Sequence, residues 1–419
     1  MYLTHLGLTN FRNYTRLALE MTPGPILLRG DNAQGKTNLL EAVFFLATTR
    51  SAFARAERQI INWQSLEQDA LPFARVEAQV RRGQATLRLD STLLPDETGT
   101  IHKEMRLNGV RKRALDIVGQ LNVVLFLPED IELIVDAPAA RRRYLDITLC
   151  QVDAGYCRAL TQYNQVLAQR NALLKQLGEH RSGAGGQLDQ LLFWDDRLAE
   201  YGALVIVTRR ETIHQLDHLA RERYRMLGGP HETLRLYYAP SVDPEHRPTP
   251  DFQRPLSLEE VMNAPAGPPA PQVAQAFVQL LRQARREEIG RGMTVMGPHR
   301  DDLHFLIDGV DMTLYGSRGQ QRTTALALKL AEVDLMTRAV GEAPVLLLDD
   351  VMSELDAGRR ERVMAVVDDV QQSILTTTDW HDYHDSFRAR ARLWQVTAGQ
   401  VAVLNHDLLS ADFESGLSG

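Results

Sequence analysis

Two short stretches about three hundred residues apart constrain this chain more than any other feature. The first is Gly30-Asp31-Asn32-Ala33-Gln34-Gly35-Lys36-Thr37, which fits G-x-x-x-x-G-K-[ST]. It follows the apolar run Ile26–Arg29, predicted as a strand. It opens Asn38–Ala47, predicted as a helix with a broad apolar face, so the pattern has the strand–turn–helix setting it requires. Glycines there let backbone N–H groups curl round phosphates, and a helix start adds partial positive charge. Lys36 is then placed for the β- and γ-phosphates and Thr37 for Mg²⁺. A plain Gly-rich strand-to-helix turn is the bland alternative. The second stretch is Val345-Leu346-Leu347-Leu348-Asp349-Asp350. Its apolar part reads as a parallel strand buried on both faces. Its end would place Asp349 near the metal, through water, and Asp350 against an attacking water. Alone this is a weak pattern, since many strand ends look like it; paired with the first stretch it specifies a nucleoside triphosphatase. Compact folds of this kind bridge the two stretches in far fewer residues, so a large insertion must lie between them.

The intervening sequence supplies that insertion. The chain starts β-rich, with Met1–Asn10 and Leu17–Glu20, and strands are predicted at Arg75–Leu89 and Met105–Arg113 with Asn108-Gly109 as a hairpin signal. From Ala154 the character turns helical. Tyr156, Leu160, Tyr163, Leu167, Leu174 and Leu177 recur at steps of three and four, broken only where Arg170 fills a slot. After His180–Gln187, a Gly/Ser-containing turn, Leu191, Trp194, Leu198, Tyr201 and Val205 resume the spacing. The pattern predicts an antiparallel helical hairpin, either a plain packing unit or a partner-binding arm. Gly228–Gln272 is Pro-rich and predicted mostly as loop, with one strand at Thr233–Tyr238. A charged helix at Phe277–Ile289, a strand at Leu303–Ile307, a long helix at Gln320–Ala339 and a strand at Ser373–Thr377 complete the reading.

Between the insertion and the second stretch comes Tyr315-Gly316-Ser317-Arg318-Gly319-Gln320-Gln321-Arg322. A Ser/Gly turn opening a long helix is an anion-binding end. The chain's own phosphate loop already serves one phosphate site, so this second one suits a γ-phosphate presented by another protomer. A simple N-cap by Ser317 is the local alternative. The order phosphate loop, Ser-x-Gly-Gln, acidic strand, then Ser353-Glu354-Leu355-Asp356 favours the first reading.

That order is similar to the ATP-binding-cassette head of the SMC class, an α/β fold, here with an inserted, mainly helical arm. Further blocks resemble the RecF family of bacterial recombination mediators: Leu8-Thr9-Asn10-Phe11-Arg12-Asn13-Tyr14, Leu127-Pro128-Glu129-Asp130, Ala137-Pro138-Ala139-Ala140-Arg141-Arg142-Arg143-Tyr144-Leu145-Asp146 and Gly297-Pro298-His299-Arg300-Asp301-Asp302. Together they reach to about Thr378. The resemblance implies an ATPase lobe made of residues 1–150 and 293–419 and a helical arm lobe of 151–292. It implies a weak, slow DNA-dependent ATPase acting in DNA replication and repair. Its ATP-dependent homodimer would sandwich two nucleotides, bind duplex and gapped DNA with little sequence preference, and help RecR and RecO load RecA. By position, Gly30–Thr37 would bind ATP, Lys36 and Asp350 would be catalytic, and Thr37 and Asp349 would hold Mg²⁺. Ser317, Gly319 and Gln320 would reach the partner's nucleotide, Asp356 would touch the opposite protomer, and Arg12 would lie beside the nucleotide. The chain departs from the family at Asp136, where Gly is usual. Thr378-Asp379 stands where the switch His is expected, with His381 two residues late, and no Q-loop Gln lies near Pro128-Glu129. Sensing of the γ-phosphate is thus left without a residue.

Net charge is −7, so DNA contact would depend on local patches. Arg81-Arg82 and Arg111-Lys112-Arg113 are the candidates, each alternatively a solvated face. Arg141–Arg143 could instead pair with carboxylates, and His299–Asp302 reads as structural, with Arg300 paired to an acid. No base-reading motif is present. The run of apolar residues needed for a membrane span is missing, the start lacks the features of a signal peptide, and Cys150 and Cys157 lie about 10 Å apart along a helix, too far for a disulfide. A reduced, cytoplasmic protein is expected. The competing functions are an SMC-like DNA-tethering or nuclease-associated ATPase, which would need a longer coiled coil or a Cys-x-x-Cys hook, and a transporter ATPase, for which an internal arm of this kind gives no membrane coupling.

Overall fold

The computed structural model describes residues 1–179, 185–228, 231–245, 250–257 and 267–404. The expected turn at His180–Gln187 falls largely outside these residues, as do parts of the Pro-rich stretch and the tail beyond Leu404. Two units are present: Met1–Glu129 with Glu332–Gly419, and Asp130–Ala331, inserted in the sequence of the first. Both junctions therefore differ from those expected at 150/151 and 292/293. Packing explains the difference. The helix Pro138–Val152 is tied to the strand Asp302–Ile307 by Arg141, whose Nε and Nη2 donate to the two Asp302 carboxylate oxygens at 2.7 and 2.9 Å. Arg142 adds a bond to the Asp301 carbonyl at 2.7 Å. Both flanks of the helical stretch thus fold with it.

The first unit holds two six-stranded sheets. One consists of β1 (Tyr2–Phe11), β2 (Tyr14–Glu20), β4 (Ala74–Arg82), β5 (Ala85–Pro95), β6 (Ile101–Leu107) and β7 (Val110–Lys112), antiparallel throughout in the order β2-β1-β4-β5-β6-β7. Alternation along β4 buries Ala74, Val76, Ala78 and Val80 and turns Arg75, Glu77 and Gln79 outward. Arg75–Leu89, expected as one strand, is a hairpin, because the chain reverses at Gly83 with φ +53°. Asn108-Gly109 makes its turn with φ of +52° and +81°, the left-handed pair of a two-residue hairpin. It joins β6 to β7, inside the stretch expected as a single strand Met105–Arg113.

The other sheet consists of β3 (Gly24–Arg29), β8 (Val123–Phe126), β12 (Val345–Leu348), β13 (Gln372–Thr377), β14 (Arg392–Thr397) and β15 (Gln400–Leu404). Its order is β15-β14-β3-β13-β12-β8, parallel except for the β14–β15 hairpin. Every residue of β12 and β13 is buried, as are Ile26–Leu28 of β3, which is why these segments read as unbroken apolar runs. β3 and β12 are not neighbours: β13 runs between them. The helix Lys36–Thr48 follows β3 and buries Leu39, Leu40, Val43 and Phe45 completely.

The second unit contains helices Pro138–Val152, Ala154–Glu179, Gly185–Met226 and Ala270–Arg291 and a small antiparallel sheet of β9 (Leu234–Ala239), β10 (Asp302–Ile307) and β11 (Val310–Asp311). The expected pair of helices is present. The second runs well past Val205, because Ile213, Leu216, Ala220 and Tyr224 keep a buried face. A third helix, Ala270–Arg291, completes the core with Val273, Phe277 and Leu281 against Tyr163, Leu198, Ala203 and Ile206. It begins seven residues before the predicted Phe277, after Pro269 and with Pro271 in its first turn, where proline's missing N–H costs nothing.

Arg170, which interrupts the apolar seam, is fully buried. Its Nε donates to Asp195 Oδ1 at 2.8 Å, Nη1 to Thr294 Oγ1 at 2.7 Å and Nη2 to Glu288 Oε2 at 2.6 Å. A second buried hub is Arg209, bonded to Tyr156, the Pro298 carbonyl, Asp301 and Asp146 at 3.0, 2.7, 3.3 and 2.6 Å. His299 meets the Tyr163 hydroxyl at 2.6 Å, and burial lowers its pKa to about 4, so the ring is neutral and structural. Among the described residues Arg300 lacks the expected acid partner: it is exposed beside Met293, and Asp301 and Asp302 are held by Arg209 and Arg141. Cys150 and Cys157 do not form a disulfide. No described helix is long and apolar enough to cross a membrane.

Removing a buried cation strands its carboxylates. Arg170→Ala should therefore destabilise this unit by about 3–5 kcal/mol. The exposed pair Arg197–Glu200, at 2.8 Å, contributes less than about 1 kcal/mol, so Arg197→Ala should leave urea unfolding almost unchanged. Equal midpoints for the two variants would contradict this account.

Candidate nucleotide site

The loop Gly30–Thr37 leaves β3 and enters the helix Lys36–Thr48 under tight steric limits. A Cβ on Gly30 would stand 2.4 Å from the Val396 carbonyl oxygen. Gly35 has φ +119°, and a Cβ there would lie 2.6 Å from Asn13 Nδ2. The loop is clamped from behind by two hairpin turns. From the β1–β2 turn, Asn13 Nδ2 donates to the Gln34 carbonyl at 2.8 Å and the Tyr14 hydroxyl to the Gly35 carbonyl at 2.9 Å. From the β14–β15 turn, Gly399 N donates to the same Gln34 carbonyl at 3.0 Å, and Ala398 N to Gln34 Oε1 at 2.7 Å. With these carbonyls tied back, loop and helix-start N–H groups are left for an anion. Asp31, Asn32 and Ala33 lie exposed along the loop. Lys36 is buried, and its Nζ donates to the Gly30 and Asp31 carbonyls at 2.5 and 3.1 Å. Burial lowers its pKa, against the opposing pull of Asp350, Asp349 and Asp31.

The acidic strand end meets this loop. Thr37 Oγ1 donates to Asp349 Oδ2 at 2.7 Å. Thr376, at the end of β13, donates to Asp349 Oδ1 at 2.7 Å and accepts from Asp350 N at 2.9 Å. Asp350 adopts φ +51°. Burial raises its carboxyl pKa; Lys36 opposes this, while Asp349 and Asp382 add to it. Lys36, Thr37, Asp349 and Asp350, far apart in sequence, are therefore brought together. Among the described residues no group of three or more His, Cys, Asp and Glu could hold a metal. A hydroxyl and a carboxylate oxygen beside a phosphate cradle are nonetheless the hard donors that Mg²⁺ takes, with water and phosphate filling its other positions. Thr37 and Asp349 fit that ion, and the glycine-lined loop fits the phosphates.

Arg12 stands on the β1–β2 turn with φ +54°, next to Asn13. Its Nε and Nη2 grip both oxygens of the fully buried Glu41 at 2.7 Å each, and Nη1 donates to the Gln59 carbonyl at 2.9 Å. The structure thus places Arg12 beside the phosphate-loop helix, held by protein groups.

Residues 2–400 match the model of the RecF/RecN/SMC N terminal domain. Proteins named DNA replication and repair protein RecF, from Roseiflexus castenholzii and Chloroflexus aurantiacus, are 43% and 42% identical over 410 and 409 residues, spanning 96% of this chain and 99% of each of theirs. The chain belongs to the RecF family. A solved structure of the recombination mediator protein RecF-ATPrS in the RecFOR pathway is similar with TM-score 0.80 at 32% identity, over 96% of this chain and 98% of that one. Its RecF-ATP counterpart gives 0.79 at 31%, over 96% and 99%. An SMC head bound to the C-winged helix domain of ScpA shares the fold, with TM-score 0.50 at 17% identity. The α/β head of the ABC/SMC type is the fold of this RecF-family chain.

The other RecF-type motif residues make local contacts. Ser317 and Gln320 cap the helix Arg318–Val340 reciprocally: Gln320 N donates to Ser317 Oγ at 3.2 Å and Ser317 N to Gln320 Oε1 at 3.1 Å. Gln320 Nε2 also reaches Glu232 at 2.8 Å. Ser317, Arg318 and Gly319 are exposed, and this turn belongs to the unit Asp130–Ala331. Asp356 caps the helix Ala357–Asp369 and pairs with Arg359 at 2.8 Å. Where a switch His was sought, His381 is exposed and bonded to Asp379 at 2.7 Å.

The basic clusters are divided by their backbone. Arg81 donates to Thr86 at 2.8 Å and Arg82 to the Gly119 carbonyl at 2.6 Å, each half-buried. Arg111 and Lys112 are exposed on β7, but opposite Arg106 and Met105 of β6, so they face opposite sides of the sheet. Arg113 pairs with Asp116 at 3.2 Å. Thr376, Asn13 and the turn Ala398-Gly399 were not singled out from sequence. The signals were a run of three threonines at the end of a buried strand and the place of Asn13 in the family-like block Leu8–Tyr14. Asn13→Ala removes one of the two donors on the Gln34 carbonyl, worth about 1 kcal/mol, and should weaken ATP binding by about five- to tenfold in a fluorescence titration while the fold persists.

Proposed function

We propose that this protein binds Mg²⁺·ATP and hydrolyses it slowly as a switch for DNA binding in replication and repair. The bond between Thr37 and Asp349 carries the reading, because it closes a phosphate loop and an acidic strand end into one site. The solved RecF-ATPrS and RecF-ATP structures, both similar over nearly the full chain, support ATP as the nucleotide.

Each residue has a role that follows from its place. The N–H groups of Gly30–Thr37 and the Lys36 ammonium bind and orient the triphosphate. Thr37 and Asp349 would hold Mg²⁺, which neutralises phosphate charge and polarises the γ-phosphoryl group. Asp350, with its raised pKa, orients water and accepts its proton. The exposed Ser317 and Gly319, with the half-buried Gln320 and with Asp356, would complete the pocket of a second copy, giving an ATP-dependent homodimer. The bonds of Ser317 and Gln320 to each other would then be exchanged in part for bonds to that nucleotide. Arg111 and Lys112, and less fully Arg81, Arg82 and Arg113, would contact DNA phosphates. The protein would favour gaps and duplex–single-strand junctions and, with RecR and RecO, promote RecA loading in the cytoplasm.

Light scattering tests the dimer. Mg²⁺·ATP should double the mass; Lys36→Ala should abolish the doubling, and Asp350→Asn should keep it while slowing hydrolysis by about 10²–10³-fold. A base must be deprotonated to act. The parental rate should therefore rise with pH through the elevated Asp350 pKa, and Asp350→Asn should lose that limb. Parental turnover by Asp350→Asn would remove Asp350 from the chemistry, and a mass that stays single with ATP bound would remove the dimer. Affinities for duplex, single-stranded and gapped DNA, with and without ATP, decide the DNA assignment.

A further inference from the structure

The strand between the two motif strands carries no assigned residue, yet it runs through the middle of the site. β13 pairs with β12 through Leu375 and Leu348, and with β3 through Thr377 and Arg29. One step beyond the first pair, Thr376 stands level with Asp349. It is buried.

We propose that Thr376 is the positioning residue for the acidic pair, one hydroxyl setting both the metal-side carboxylate and the backbone of the water-activating Asp350. A hydroxyl offers one proton and two lone pairs. Here the proton goes to Asp349 Oδ1 at 2.7 Å, and a lone pair takes Asp350 N–H at 2.9 Å. Because Thr37 donates to Asp349 Oδ2 at 2.7 Å, the carboxylate is gripped between two threonines, one on each oxygen. Thr37 is also the residue assigned to the metal, whereas among the described residues the Thr376 hydroxyl bonds only within the acidic pair, to Asp349 and Asp350. The Asp350 backbone, at φ +51°, lies in a left-handed region rare for residues other than glycine, asparagine and aspartate. The bond from its N–H to Thr376 helps hold it there. The neighbouring hydroxyl does something different: Thr377 Oγ1 meets the Asp379 carbonyl and Asp382 Oδ2, each at 2.7 Å, and shapes the following turn.

The inference rests on the nucleotide reading of this site, and the experiment separates the two. The full chain, as Thr376→Val, Thr376→Ser and parent, is titrated with a fluorescent non-hydrolysable ATP analogue over a range of Mg²⁺ concentrations and in EDTA. Residues that orient a metal ligand typically change metal affinity by about 10–100-fold. Thr376→Val should therefore need about tenfold more Mg²⁺ for half-maximal binding, with affinity in EDTA within about twofold of the parent. Turnover at saturating Mg²⁺ should fall with KM for ATP nearly unchanged, and Thr376→Ser should restore both. An unaltered Mg²⁺ dependence in Thr376→Val, or a Ser variant as impaired as the Val one, overturns the inference. Should Thr376→Val fail to fold, Thr376→Ala is judged by the same criteria. A parent whose binding ignores Mg²⁺, or a Lys36→Ala variant that binds as the parent does, overturns the nucleotide reading and takes the inference with it.

Discussion

The bond from the Thr37 hydroxyl to the Asp349 carboxylate joins residues 312 positions apart, and the rest of the first unit is arranged so that it can form. A carboxylate as buried as Asp349 is costly unless its oxygens are satisfied. Here one hydroxyl from a helix start and one from a strand end satisfy one oxygen each, and the nearby Lys36 ammonium supplies opposite charge. The same closeness pulls on both partners. Burial makes Lys36 less basic and Asp350 less acidic, and their mutual attraction opposes each shift. A site balanced in this way suits phosphate binding and a water-activating carboxylate at once.

The phosphate loop owes its shape to pieces that carry no phosphate chemistry. Two hairpin turns from two different sheets converge on one carbonyl, that of Gln34. The antiparallel sheet thus acts on the site through the Phe11–Tyr14 turn, and the parallel sheet acts through the Thr397–Gln400 turn. Arg12 is drawn into the same support by Glu41, one turn along the phosphate-loop helix.

The inserted unit is organised by buried charge as much as by apolar contact. Arg170 and Arg209 each bind several acceptors from segments distant in sequence, and Arg141 ties one flank of the insertion to the other. Buried ion networks are a poor source of net stability, but they penalise any packing that leaves a member unpaired. An insertion with its own core and its own polar hubs can interrupt another fold at modest entropic cost, since closure entropy grows slowly with length.

The phosphate loop, the acidic strand and several of the long helices were legible in the sequence because local rules write them: glycines where a Cβ cannot fit, apolar runs where both faces are covered, steps of three and four where one helix face is buried. The helices Pro138–Val152 and Ala357–Asp369 were not among them. Residue identity alone also marked Arg170 as out of place in its seam. Other features depend on which strand lies beside which, and no local pattern contains that. The order of the parallel sheet put β13 between the motif strands and made Thr376 part of the site; pairing in the antiparallel sheet made Arg75–Leu89 a hairpin and set Arg111 and Lys112 on opposite faces. The chain by itself determined the chemistry available. Only the tertiary structure decided which groups touch, because hydrogen bonds between distant residues follow strand order and register, which the whole fold sets.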